Sequence, residues 1–204
     1  MGVERYIAKQ FGNPSGLGGR MVSAVMNRQN RPLYEAAAEL LRLSNEDAVL
    51  DIGYGNGYML NMLARRHNCA FTGIDASPSI VGAAARRNRA FVETGRMRLM
   101  CQNANGMSFA NSSFDKAYTV NTVYFWENPD GIMLEIRRVL KPGGLFINAL
   151  YSNATLSRFG HTRFGYRHFT PDQLMDAGRR AGFTASITPV LDAAAYCVLY
   201  KGNL

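Results

Sequence analysis

Glycines and an acidic residue follow the first predicted strand in a pattern that suits a charged ligand. Asp51 ends that strand, and Gly53, Gly55 and Gly57 stand between it and a predicted helix. Glycines allow a tight turn and let a ligand approach the main chain. A dinucleotide fingerprint counted from Gly53 would need a glycine where Tyr58 stands, and a Walker loop would end in a lysine that is absent here. Because Asp51 would repel a pyrophosphate, the pattern favours a cationic ligand, such as one with an ammonium or a sulfonium group.

The ends of the next two predicted strands carry polar residues that suit a nucleoside. Asp75 ends the second strand, 20 residues after Gly55, and a carboxylate there can accept hydrogen bonds from two ribose hydroxyls. Asn103 follows the third strand and can bind an adenine amino group, while the backbone N–H of Ala104 can donate to a ring nitrogen. Each residue alone is also explained by a turn or a helix cap. Together, at successive strand ends, they predict a site for a nucleoside that lacks phosphates and carries an amino acid.

Strand and helix signals alternate along the chain and predict the frame that positions these residues. We predict strands at 48–52, 70–75, 96–101, 115–120, 145–150, 185–191 and 194–201. We predict helices at 31–43, 58–66, 77–89, 129–140 and 170–182, with a loop at 11–20 and a turn at 141–144. The alternation indicates a parallel, doubly wound α/β sheet, in which ligands bind outside the carboxyl ends of the strands. The residues that end strands are therefore the candidates for a site.

The sequence resembles class I S-adenosylmethionine-dependent methyltransferases in motifs that occur in the family's order. The motifs are VLDIGYGNG (49–57), GIDASPSIV (73–81), FDKAYTVNTVYFWENP (114–129), RVLKPGG (138–144) and the terminal FTPDQLMDAGRRAGF (169–183). The likeness is strongest to the small-molecule branch, which includes quinone-biosynthesis methyltransferases. It implies a seven-stranded Rossmann-like sheet with six parallel strands, an antiparallel last strand and helices on both faces. We expect one domain over 1–204, with an N-terminal lid and helices in 1–45 and a catalytic core in 46–204.

The resemblance implies S-adenosylmethionine as the cofactor and S-adenosylhomocysteine as the product. Asp51 would face the amino-acid ammonium, Asp75 would bind the ribose hydroxyls, and Asn121 would lie beside the methyl group. One position departs from the family pattern, because Asn103 stands where the family often has Asp, although its amide oxygen can still accept from an amino group. The full set of implied cofactor-binding residues is Asp51, Gly53, Tyr54, Gly55, Gly57, Asp75, Ala76, Asn103, Ala104 and Asn121.

Three segments are expected to form the acceptor side: 1–30, 121–127 and 151–168. The last of these is basic and holds His161 and His168, which are our first and second candidates for a general base. Such a loop suits an anionic or phenolic acceptor, and the alternative is a solvated surface loop. Aromatic residues of 121–127 either form the wall of the acceptor site or pack beneath the N-terminal segment. The predicted acceptor-contacting residues are Phe11, Tyr124, Trp126, Tyr151 and Arg163.

The N-terminal segment is expected to close over the cofactor. Residues 11–16 form a glycine-containing loop, and Met26 and Asn27 follow it. Glycine-rich segments serve as hinges of lids that order on ligand binding. The alternative is a leader without a fixed structure.

Composition and charge narrow the class of protein. No apolar run reaches the ~18 residues of a membrane span, and the N-terminus lacks an apolar signal core. Cys69, Cys101 and Cys197 match neither a disulfide framework nor zinc-ligand spacing, so we expect no metal and a reducing cytoplasm. The net charge of +8 fits either basic residues at helix C-termini or an anionic partner.

Two other functions remain open from the sequence. The basic surface could serve an RNA or protein methyltransferase, although 121–124 reads Asn-Thr-Val-Tyr and not the Asn-Pro-Pro-Tyr motif of amino-directed nucleic-acid methylation. The chain could also be a non-catalytic module that binds the cofactor. We expect a small-molecule acceptor, no nucleic acid and either a monomer or a homodimer. The sequence leaves the acceptor and the methylated atom open.

Overall fold

The computed structural model describes residues 16–202, and within them a seven-stranded sheet runs in the order β3-β2-β1-β4-β5-β7-β6. The five strands β1 to β5 pair in parallel, whereas β7 is antiparallel to both β5 and β6. This confirms the predicted doubly wound, Rossmann-like sheet with its antiparallel last strand. The strands are β1 (Ala48–Ile52), β2 (Ala70–Asp75), β3 (Met97–Cys101), β4 (Phe114–Val120), β5 (Leu140–Tyr151), β6 (Phe183–Val190) and β7 (Ala195–Gly202).

Helices cover both faces of the sheet, as predicted. Val49 packs in one hydrophobic cluster and its neighbour Leu50 in the other, because successive side chains of a strand point to opposite faces. The cluster that contains Val49 joins the sheet to the helices at 16–41, 58–66 and 78–87. The cluster that contains Leu50 joins it to the helices at 129–139 and 171–180. The helices are α1 (Gly16–Leu41), α2 (Tyr58–Arg66), α3 (Pro78–Arg87), α4 (Arg89–Glu93), α5 (Pro129–Val139), α6 (Asn153–Leu156) and α7 (Pro171–Arg180), with 3₁₀ turns at Val123–Phe125 and Gly160–Arg163.

Helix α1 begins much earlier than its sequence pattern indicates. We expected a helix from Arg31 with Pro32 in its first turn, but α1 runs from residue 16 and contains Pro32 in its interior. An interior proline removes a helix hydrogen bond and normally ends or kinks a helix. Here buried side chains precede and follow it, since Asn27 and Asn30 are buried like Leu33. The two asparagines interrupt the apolar pattern, so the first half of the helix is hidden from an analysis of hydrophobic spacing.

The predicted turn at 141–144 lies within β5. The pairing of β5 with β4 shifts from Phe114↔Leu140 to Lys116↔Leu145, so the strand accommodates the extra residues as an irregularity. Lys141 holds this region, because its Nζ donates to both carboxylate oxygens of Asp115 at 2.7 and 2.8 Å.

The carboxyl ends of the parallel strands lie side by side. Ile52 pairs with Ile74, and Asp75 pairs with Cys101, so β1, β2 and β3 end at the same edge. That edge is where parallel sheets bind ligands. No helix in the described part of the chain combines the length and apolar composition that a membrane crossing needs.

Candidate active site

A cleft of about 570 Å³ opens at the carboxyl edge of the sheet. It brings together nearly all the predicted cofactor-binding residues, which come from four strand ends. Those that line it are Asp51, Gly53, Tyr54, Gly55, Asp75, Ala76, Asn103, Ala104 and Asn121. Gly57 is not among the lining residues; its carbonyl accepts a hydrogen bond at 3.1 Å from the buried Asn88 beneath the loop.

Two glycines of the loop matter for different reasons, one for the packing beneath the loop and one for the space beside it. Gly53 has φ +80°, and a Cβ there would lie 2.1 Å from Cγ2 of Thr122, so only glycine fits without movement. Gly55 has φ +54°, and a Cβ there would meet no atom within 4 Å. The space beside Gly55 is therefore available to a ligand that approaches the backbone.

Asp75 ties the glycine loop to β2. Its Oδ2 accepts from the N–H of Gly55 at 2.9 Å, and its Oδ1 accepts from the N–H of Ser77 at 2.9 Å. Burial raises the pKa of this carboxyl above its usual value, and the two backbone hydrogen bonds oppose that rise. Each oxygen has a further lone pair, so Asp75 can hold the loop and still accept from ligand hydroxyls.

Asp51 is the electrostatic centre of the cleft. The residue is 3% exposed, and burial raises the pKa of its carboxyl to about 8. The nearby hydroxyl of Tyr118 opposes this rise in pKa, and the charge of Asp75 adds to it. Among the described residues that line the cleft, three are acidic and none is Lys, Arg or His. A cationic group placed beside Asp51 would favour its ionised form, so the cleft fits the sulfonium-bearing cofactor that the sequence implies.

The adenine end of the cleft is more open. Asn103 is exposed, and its Oδ1 accepts from the N–H of Asn105 at 2.9 Å. This bond orients the side-chain amide at the end of β3. The adenine role of Asn103 and Ala104 stays a prediction, and their place on the cleft wall is compatible with it.

Helix α1, which includes part of the expected N-terminal lid, supplies a further wall of the cleft. Asn27 accepts from Nδ2 of Asn56 in the glycine loop at 3.0 Å, and Asn30 accepts from Nδ2 of Asn121 at 3.2 Å. Tyr34 lines the same cleft one turn further along the helix. The sequence signal for this wall is weak, since it consists of two asparagines three residues apart on a helix.

A second, smaller cavity of about 80 Å³ adjoins the cleft, and we call it the aromatic pocket. It shares Met26, Asn30, Asn121 and Phe125 with the cleft. Its other lining residues are Gln29, Tyr124, Tyr151, Leu156, Phe159, His161, Thr162 and Tyr166. A molecule in this pocket would therefore meet a molecule in the cleft at Asn121.

The predicted acceptor residues separate into two groups. Tyr124, Tyr151 and His161 line the aromatic pocket, and Trp126 is 5% exposed on the wall of the cleft. A different set of predicted residues lies away from both cavities: His168 and Arg163 are exposed and line neither of them. Phe11 and the first part of the expected lid lie outside the described residues.

His161 is held among aromatic rings. Its ring centroid is 5.8 Å from that of Phe159 and 6.0 Å from that of Tyr166. The 3₁₀ turn at Gly160–Arg163 carries it, and Thr162 fastens this turn by donating to the carbonyl of Leu156 at 2.7 Å. Among the histidines in the described part of the chain, His161 is thus the one that lines the aromatic pocket.

Comparison with known proteins agrees with this geometry. Residues 50–148 match the family model described as a methyltransferase domain. An O-methyltransferase of Pyrenophora dematioidea is 32% identical over 124 residues, which cover 61% of this chain and 42% of the relative. The 24-methylenesterol C-methyltransferase 2 of Oryza sativa subsp. japonica is 30% identical over 124 residues, which cover 61% of this chain and 34% of the relative. The chain therefore spans less than half the length of these curated relatives.

Solved structures share the fold over nearly the whole chain. The match to a complex between the Haloferax volcanii Trm112 methyltransferase activator and a putative methyltransferase has a TM-score of 0.81 at 18% identity, covering 100% of both chains. A geranyl diphosphate methyltransferase solved in complex with SAM has a TM-score of 0.74 at 15% identity, covering 96% of this chain and 94% of that chain. Identities this low show a common fold and no more.

The family match covers the glycine loop, Asp75 and Asn121, which are the residues that build the cleft. Residues 50–148 match a methyltransferase domain, and S-adenosylmethionine fits the cleft as the cofactor of that domain.

Proposed function

We propose that this methyltransferase domain transfers the methyl group of S-adenosylmethionine to a small molecule with an apolar or phenolic body. The observation that carries the proposal is the shared wall of the two cavities. The acidic cleft suits a cationic cofactor, and the aromatic pocket meets the cleft at Asn121. When bound, the cofactor supplies an electrophilic methyl group on its sulfonium.

The residues of the chain then have to align the acceptor and exclude water. Methyl transfer is an in-line displacement, so its rate depends on the orientation of the nucleophile toward the methyl carbon. The rings of Tyr124, Tyr151 and Tyr166 provide flat walls, and Phe125 borders both cavities. An apolar or aromatic acceptor suits such walls better than a strongly hydrated one.

We assign His161 the role of general base. An imidazole titrates near neutral pH and can take the proton of a hydroxyl as the oxygen attacks. His161 lines the pocket, whereas His168 does not, so the geometry favours the first candidate. The arginines of the loop add no cationic lining to the pocket, since Arg158, Arg163 and Arg167 do not line it. This favours a phenolic acceptor over a multiply charged anion.

The names of the curated relatives support a small-molecule acceptor. One is described as an O-methyltransferase and another as a sterol C-methyltransferase. Their names differ in the atom that is methylated. The likeness therefore supports a small-molecule acceptor, and the methylated atom has to be argued from this chain.

The test is turnover with methyl-labelled S-adenosylmethionine against a metabolite extract, read by mass spectrometry. We expect labelled products among small apolar or phenolic compounds, and their loss in the Asp51→Asn variant. The same assay with total RNA and with cell protein is the comparison. Label in RNA or protein without small-molecule products would overturn the proposal. Cofactor binding without any turnover would instead indicate a non-catalytic binding module.

A further inference from the structure

A chain of hydrogen bonds crosses the wall between the cleft and the aromatic pocket. The backbone N–H of Tyr151 donates to the hydroxyl of Tyr124 at 2.8 Å. That hydroxyl lies 3.2 Å from Oδ1 of Asn121, and Nδ2 of Asn121 lies 3.2 Å from Oδ1 of Asn30. The chain thus joins the end of β5, the loop after β4 and helix α1.

The bonds of this chain run in one direction. A backbone N–H can only donate, so the Tyr124 oxygen accepts from Tyr151. The Tyr124 hydroxyl in turn faces Oδ1 of Asn121, with the carbonyl of Tyr151 as a second acceptor at 3.3 Å. The Nδ2 of Asn121 donates to Oδ1 of Asn30.

Asn121 stands where the two cavities meet. Its backbone has φ +57°, and its N–H donates to the carbonyl of Ala149 at 2.9 Å. Its Nδ2 carries two protons and Asn30 takes one of them, so the second is available to a molecule at the junction. The amide oxygen is turned toward Tyr124. The junction therefore offers an N–H donor to the reacting atom.

We propose that Asn30 is a positioning residue that holds Asn121 as a hydrogen-bond donor toward the acceptor and so selects an oxygen nucleophile over an amine. A hydroxyl or phenolate oxygen has a lone pair to accept this bond and another to attack the methyl carbon. A neutral amine has a single lone pair and cannot do both, and a protonated amine has none. The proposal rests on the methyl transfer proposed above.

Neighbouring contacts hold Asn30 in place for this role. The hydroxyl of Tyr151 donates to the carbonyl of Gln29 at 3.0 Å, and Asn56 binds Asn27 one turn earlier. Asn30 is therefore fixed between two anchors of the same helix. Its own substitution changes the contact with Asn121 while both anchors remain.

The first experiment reads the Asn121 amide directly and needs no acceptor. Hydrogen exchange of its Nδ2 protons is measured by ¹⁵N NMR in the complex with S-adenosylhomocysteine. We expect Asn30→Leu, which removes the acceptor oxygen, to speed exchange by at least about fivefold, the equivalent of one ordinary hydrogen bond. Asn30→Asp keeps an acceptor oxygen and is expected to stay close to wild type. Arg28→Leu is the control, because this exposed residue of the same helix lines neither cavity, and it is expected to leave the exchange unchanged. Unchanged exchange in a folded Asn30→Leu protein would overturn the proposal.

The second experiment reads the choice of nucleophile. Phenol and benzylamine compete at equal concentration for methyl-labelled S-adenosylmethionine. We expect wild type and Asn30→Asp to favour phenol, and Asn30→Leu to lose most of that preference while its affinity for S-adenosylhomocysteine stays within about twofold, less than one hydrogen bond. An unchanged preference in Asn30→Leu would refute the selection of oxygen. If the wild type methylates neither probe nor any metabolite, the proposed function fails, and the NMR result still decides whether Asn30 positions Asn121.

Discussion

The cleft and the aromatic pocket share a wall, yet different chemical groups line them. The cleft is lined by backbone and carboxylates, with Asp51 and Asp75 at the ends of adjacent strands. The pocket is lined by rings from the segments after β4 and β5 and by helix α1. The cleft therefore recognises charge and hydroxyl groups, whereas the pocket recognises shape. A substitution in the cleft should act on cofactor affinity, and a substitution in the pocket should act on the rate of transfer.

Asp75→Ala is expected to have the largest effect on cofactor affinity. It removes a charged acceptor for two ribose hydroxyls and also releases the N–H of Gly55. We expect cofactor affinity to fall by about 2–4 kcal/mol, measured by calorimetry. Asp176→Ala is the control, since this exposed acid lies on α7 and does not line the cleft. A change within about twofold, less than one ordinary hydrogen bond, would show that Asp75 serves the loop alone.

His161→Ala is expected to lower turnover by about a hundredfold while cofactor affinity stays near that of wild type, as is typical for loss of a general base. The effect should be largest near neutral pH and smaller at high pH, where a phenolic acceptor ionises without help. His168→Ala is the matched comparison, because that histidine is exposed and lines neither cavity. An equal loss in both variants would place the whole loop, and not the pocket alone, in the reaction.

Cofactor affinity is expected to rise with pH up to about 8 and then to level off. The pKa of Asp51 is raised to about 8 by burial in the ligand-free protein, and a bound ammonium would lower it. The complex thus binds fewer protons than the free protein, so affinity rises by up to about tenfold per pH unit below the free pKa. Calorimetry from about pH 6 to 9 measures this. Asp51→Asn should bind weakly at every pH, and a pH slope that persists in this variant would implicate another group.

The buried carboxylate of Asp51 should also lower the free energy of unfolding of the ligand-free protein as pH rises toward 8. Its folded pKa lies above the ordinary value, so the folded state binds more protons than the unfolded state between those two values. Stability is therefore complete at low pH and falls as pH rises toward 8. We expect Asp51→Asn to gain at least about 1.4 kcal/mol of unfolding free energy over wild type between pH 6 and pH 9, the value of one pKa unit. Urea unfolding at both pH values checks this, and a difference that does not grow with pH would contradict it.

The cleft could be predicted from the sequence because its parts follow strands directly. Asp51 and Asp75 end adjacent strands, and parallel strands bring their carboxyl ends to one edge. The sheet can be predicted from the alternation of strands and helices together with the tight connection between β6 and β7. Local periodicity and one contiguous glycine loop were therefore sufficient to predict the fold and to bring the residues of the cleft together.

The wall between the cavities depends on contacts that no local pattern records. Asn30 bonds with Asn121, and Tyr151 bonds with the carbonyl of Gln29, across 91 and 122 residues of sequence. The first half of α1 was hidden by its asparagines and by Pro32, so its helical structure was not predictable, although Met26 and Asn27 were expected in a lid over the cofactor. Neighbouring positions along the chain are enough to predict which residues end the strands. That His161 lines the pocket while His168 does not depends on tertiary packing, because a loop packs against side chains that are distant along the chain.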